Sequence, residues 1–142
     1  MSAHQLSIGE RIVHKEFPAI TRHRLALYCG ASGDHNPIHV DLDFARQARF
    51  PDVFSHGMLV MAYLGRALTD AVAPARIQSY STRFVAITQL GAELTCEGMV
   101  AEVFEENGER RARLALTAKD QTGEIKLAGE AVIAIQERSC RN

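Results

Sequence analysis

Asp34, His35, Asn36, His39 and Asp41 fall within eight residues, in the run ASGDHNPIHVD from Ala31 to Asp41. This is the densest cluster of reactive side chains in the chain. Asp34 and His39 are five residues apart across a Pro turn, so their side chains can converge on one point and hold one water. Neutral imidazole takes a proton readily near pH 7. Adding water across the double bond of an α,β-unsaturated thioester needs such a pair: one group takes a proton from water, and a proton reaches the α-carbon. The same run also reads as a solvated Asx-Pro turn that caps nearby backbone. That reading suits Asp41, as the N-cap of a following helix, and His35, which can simply face solvent.

A second group is SHGML, Ser55 to Leu59. Glycine at a helix N-terminus lets a ligand approach free backbone N–H groups. The helix dipole there favours negative charge. Gly57 could thus stabilise an oxyanion, or could be only a tight-packing residue. Ser55 is a candidate N-cap, and His56 a capping or core residue. Met58, Leu59, Met61 and Ala62 could line an acyl tunnel or form core.

The elements around these groups follow from periodicity. Ile12 to Phe17 reads as a first strand. Thr21 caps a helix reaching about Ser32, with Leu25, Tyr28 and Cys29 on its apolar face. Gly33 to Pro37 breaks that helix. A short helix covers Asp41 to Arg49, and a loop covers Phe50 to Phe54. His56 to about Ala73 is apolar almost all round, which predicts a central helix buried on most sides.

After Pro74 the period becomes two. Arg76–Ile87, Ala92–Phe104, Arg111–Lys119 and Glu124–Ile135 read as strands. Ala112, Leu114, Leu116 and Ala118 share one face. Ile125, Leu127, Ala131, Ile133 and Ile135 share another. Gly98 is expected to be a bulge. Asn107-Gly108 and Thr122-Gly123 mark hairpins, since a type I′ turn needs positive φ at both central residues. Helices first and hairpins later predict a single α+β domain over 1–142, its antiparallel sheet wrapped around the long helix.

Composition narrows the function. The 142 residues are 46% hydrophobic, with 16 basic and 17 acidic side chains. A near-neutral balance offers no footprint for nucleic acid. The basic spot Arg110, Arg111, Arg113 lies beside Glu105, Glu106 and Glu109, as on a solvated hairpin. Cys29, Cys96 and Cys140 are scattered and odd in number, which predicts reduced thiols and no zinc site. The apolar run Gly57–Leu64 is too short to span a bilayer, and Met1–Glu10 lacks an apolar leader. A cytoplasmic protein is expected.

ASGDHNPIHVD followed by FSHGMLVMAYLG resembles the motif pair of the MaoC-like, or hydratase 2, family. RFVAITQLGAEL is similar to that family's strand, loop and Gly before the next strand. The likeness runs from about Ile12 to Ile135. It implies a single hotdog fold, and hydration or dehydration between 2-enoyl and (3R)-hydroxyacyl thioesters. It assigns Asp34 and His39 as the catalytic pair, Gly57 as the donor to the thioester carbonyl, and Asn36 as the residue orienting loop or water. Ser55, His56, Met58, Leu59 and Met61 then stand among substrate-binding positions. The resemblance implies an acyl-CoA or acyl carrier protein substrate, no metal or redox cofactor, no membrane insertion, and a homodimer or a heterodimer with a second hotdog subunit. Where some hydratases carry Ser on the central helix, this chain has Gly65, which is expected to widen the tunnel or admit a water. A hotdog thioesterase and a non-catalytic acyl-binding subunit remain alternatives.

Overall fold

The computed structural model describes residues 5–135. The strands are β1 (Arg11–Glu16), β2 (Ile77–Phe84), β3 (Thr95–Glu106), β4 (Glu109–Lys119) and β5 (Ile125–Ala134). They form one antiparallel sheet in the order β1-β3-β4-β5-β2. The helices are α1 (Arg22–Ser32), α2 (Leu42–Gln47) and α3 (Gly57–Ala71). Helix α3 packs against all five strands. Leu59, Val60, Leu64, Ala67 and Leu68 of α3 share one core with Val13, Val100, Leu114, Leu116, Leu127 and Ile133 of the sheet. A curved antiparallel sheet around one long helix is the hotdog arrangement. Among the described residues no helix is long and apolar enough to cross a membrane.

Local chemistry explains most boundaries. The Thr21 side chain accepts from the Arg24 N–H to start α1, and Gly33 ends it in the left-handed conformation (φ 77°). Asp41 caps α2 by accepting from the Phe44 N–H. Asn107 and Gly108 both take positive φ, 53° and 74°, and join β3 to β4. Arg111 pairs with Glu106 and Glu109, and Arg113 with Glu102 and Glu130, as a charged hairpin requires. Cys29 and Cys96 are free thiols; Cys140 lies outside the described residues.

Four expectations need correction. Ser55 does not cap α3: its hydroxyl donates to the His56 carbonyl, and the helix has no side-chain cap. Its own N–H is held by the Thr88 carbonyl, so the Ser55 backbone is joined to the segment that follows β2. Helix α3 is buried on one side only, with Gly57, Met58, Ala62 and Arg66 exposed, because the sheet covers a single face. Gly98 is not the bulge; the extra residue of β3 opposite β4 is Ala101, between the pairs Val100–Leu114 and Glu102–Arg113. Gly98 instead permits close packing, since a Cβ there would lie 2.9 Å from the side chains of Val13 and Leu116. Finally, Ile125 is 42% exposed while Lys126 is buried. Ala118 pairs with Leu127 and Lys119 with Ile125, so Lys126 is an extra, bulged residue that reverses the alternation.

Candidate active site

A 3₁₀ turn, Pro37–His39, follows α1 and delivers His39 into the interior. The segment is locally specified. The Asp34 carboxylate accepts from the Asn36 N–H, and the Asn36 side chain accepts from the Ile38 N–H. Asn36 therefore orients the loop by capping its turn, and is itself exposed.

His39 is 8% exposed, and its Nδ1 lies 2.8 Å from the Phe54 carbonyl oxygen. A carbonyl only accepts, so Nδ1 carries a hydrogen, and in the neutral ring Nε2 keeps its lone pair. That Nε2 is 4.0 Å from Asp34 Oδ2. The gap is too long for a direct hydrogen bond and suits one water bonded to both atoms.

His56 lies beneath this pair. Its ring stacks on His39 at 3.8 Å between centroids, and Tyr28 meets it edge-on at 4.7 Å. His56 Nε2 donates to the Asp34 carbonyl at 3.2 Å, tying the N-terminus of α3 to the reactive loop. The ring is 1% exposed, and its Nδ1 has no hydrogen-bond partner. Asp34, His39 and His56 each place a ligand-type atom within 4.8 Å of the others. However, His56 Nε2 already gives its hydrogen to a carbonyl, and stacked rings do not aim their in-plane lone pairs at one point. The donor set fits a water better than a metal ion.

Burial, with the charge of a protonated His39 next, holds His56 below its ordinary pKa of 6.5; the Asp34 carbonyl and carboxylate oppose this only in part. The folded protein thus favours neutral His56, and the unfolded chain binds the proton more readily. The associated stability is complete above the unfolded pKa of 6.5 and is lost as pH falls toward the folded value. Thermal unfolding should show Tm falling as pH drops below about 6.5, above the range of ordinary carboxylates. His56→Gln should flatten that slope, and an unchanged slope would remove His56 from the account.

A cavity of about 410 Å³ opens beside Asp34. Gly57, Met58, Val60, Phe84, Ile87 and Lys126 contribute to its walls, and Ser55 lines it as well. Gly57 belongs to the first turn of α3, whose N–H groups have no carbonyl one turn earlier. The Phe84 ring packs directly on it, 3.1 Å from where a Cβ would stand. Leu59 faces the core, and neither Leu59 nor Met61 is part of the cavity wall. His39 also contributes no wall surface and meets the cavity through Asp34. Gly65 does not widen the cavity: the Tyr80 ring sits 3.5 Å from its missing Cβ, and the Tyr80 hydroxyl donates to the Met61 carbonyl.

Sequence reasoning missed the Phe54 carbonyl, the Phe84–Ile87 wall and Lys126. The first is a backbone atom and carries no residue-type signal. The other two depend on which strand lies beside α3.

A family model described as "MaoC like domain" matches residues 4–122. The (R)-specific enoyl-CoA hydratase of Aeromonas caviae is 31% identical over 139 residues, covering 95% of this chain and 99% of that protein. A fatty acid synthase beta subunit from Aspergillus oryzae is 40% identical over 74 residues, 49% of this chain but only 4% of that protein. The solved structure of an unliganded R-hydratase from Pseudomonas aeruginosa aligns with a TM-score of 0.80 at 30% identity, covering 93% of this chain and 84% of that one. With a family model matching most of its length and a full-length relative inside that family, the chain belongs to the MaoC-like domain family.

Proposed function

We propose that this protein reversibly hydrates trans-2-enoyl thioesters to (3R)-hydroxyacyl thioesters. The observation that carries the reading is the fixed imidazole. Phe54 holds the Nδ1 hydrogen, which leaves the Nε2 lone pair 4.0 Å from the Asp34 carboxylate. The names of the hydratases to which the chain is similar support the reaction class.

The acyl thioester lies in the cavity with its carbonyl oxygen toward the Gly57 N–H. One water sits between Asp34 Oδ2 and His39 Nε2, over C3. As the C3–O bond forms, His39 takes the water proton and Asp34 holds the water in line. The C2–C3 π electrons shift into an enolate whose oxygen is stabilised by the helix N-terminus. The proton then passes from the same pair to C2. Addition of H and OH is thereby complete, and dehydration reverses each step. These side chains carry every proton transfer, so the reading includes no metal or redox cofactor. The acyl carrier is coenzyme A or an acyl carrier protein.

In the same reading two copies pair along β2. That strand is at the sheet edge, and Phe84, Val85 and Ile87 at its end are exposed. An unpaired edge with apolar side chains is a ready pairing surface. A homodimer is expected, and a second hotdog subunit could occupy the same edge.

Chiral analysis of the product tests the reaction. Incubation with crotonyl-CoA should yield (3R)-hydroxybutyryl-CoA and no free thiol. The (3S) product would overturn the assigned face, and thiol release would indicate a thioesterase.

A further inference from the structure

Beyond Phe84 the chain leaves the sheet, yet residues 85–88 still form a wall of the cavity. Lys126 supplies most of this segment's backbone partners. Its carbonyl accepts from the N–H groups of Val85 and Ala86, at 3.0 and 3.3 Å. Its ammonium donates to the Ile87 carbonyl at 3.0 Å. The ammonium also contacts Glu124 and lies 3.5 Å from Asp120 Oδ2. Asp120 in turn accepts from the Gln89 side chain at 2.8 Å, which closes a ring through Ile87, Lys126, Asp120 and Gln89.

The charged pair of this ring is buried. The Lys126 and Asp120 side chains are 4% and 2% exposed. Burial pushes the Asp120 carboxyl up, but donors from Gln89, Thr122 and Glu124 outweigh it and hold the group ionised, well below the usual range. A buried ion pair is seldom a net source of stability over apolar packing of the same volume; its better-supported use is to fix one geometry. The geometry here is specific, because Lys126 is the bulged residue of β5. A regular strand would aim its side chain at the opposite face.

We propose that Lys126, held by Asp120, is a positioning residue that fixes the 84–88 wall of the acyl cavity and thereby sets which acyl chains the cavity accepts. This rests on the hydratase reading for its substrate, but not for the anchoring itself. Phe84, Val85 and Ile87 line the cavity, so the apolar contacts they offer a long acyl chain depend on where their backbone is held.

The test compares wild type with Lys126→Met, Lys126→Arg and Asp120→Asn, using two readouts. By amide hydrogen exchange, Lys126→Met should accelerate residues 84–88 on the order of tenfold and leave α3 unchanged, while Lys126→Arg stays near wild type. With crotonyl-CoA and octenoyl-CoA, Lys126→Met should shift the ratio of kcat/KM values against the longer chain by about tenfold. The loss should fall on KM for the longer chain, and arginine should restore it. Asp120→Asn should move both readouts the same way by less, and it serves if Lys126→Met does not fold.

Unchanged exchange at 84–88, or equal acceleration in α3, would overturn the anchor. Accelerated exchange with an unshifted chain-length ratio would overturn the specificity role. A wild-type protein inactive on both thioesters would contradict the hydratase reading and the specificity role with it, while exchange would still decide the anchor.

Discussion

Asp34→Asn should lower kcat/KM for enoyl-thioester hydration by about 10²–10⁴-fold, the range for removing a positioned acid–base group. At the centre of that range the loss equals about 4 kcal/mol of transition-state stabilisation. Asparagine keeps the shape and can still accept the Asn36 N–H bond that Asp34 Oδ1 accepts at 3.2 Å. It loses the negative charge facing His39 Nε2. The Asp34 side chain is 49% exposed, so stability should stay within about 0.5 kcal/mol of wild type. Steady-state kinetics alongside thermal unfolding check both halves. A variant with near-normal rates would remove Asp34 from the chemistry, and a large drop in Tm would show a structural role instead.

His39→Gln should cost a similar 10²–10⁴-fold in rate, about the same range and for the complementary reason. Glutamine can donate to the Phe54 carbonyl, but it has no basic nitrogen to take a proton from water. It also gives up the stack on His56 and the edge contact with Phe54 at 5.5 Å. A stability loss of about 1–2 kcal/mol is expected in addition. The double variant with Asp34→Asn decides whether the two act as a unit. Because both serve one water, its rate should be close to that of the worse single variant, not the product of the two losses. Multiplicative losses would mean two independent contributions.

The parts legible in the sequence are those whose cause is local. Thr21 and Asp41 cap their helices through hydrogen bonds three residues away. Asn107-Gly108 turns the chain by its own φ preferences. The reactive loop was legible for the same reason, as Asp34 and Asn36 each bond backbone two residues on. What escaped reading depends on long-range placement. His56 stacks on His39 only because α3 docks where it does, and Lys126 turns inward only because β5 carries a bulge opposite Lys119. Period-two alternation placed Ile125 inside, and one extra residue reversed that. Ser55 looked like a cap by type, but the Thr88 carbonyl had already fixed its backbone.

The central claim is that Asp34 and His39 hold one water for addition to an enoyl thioester. Following the loss of conjugated-enoyl absorbance in crotonyl-CoA, with wild type, Asp34→Asn and His39→Gln in parallel, tests it most directly. The account predicts rapid loss with wild type and at least about a hundredfold slower loss with either variant. Equal rates in all three proteins, or no loss with wild-type protein on crotonyl or longer enoyl thioesters, would contradict it.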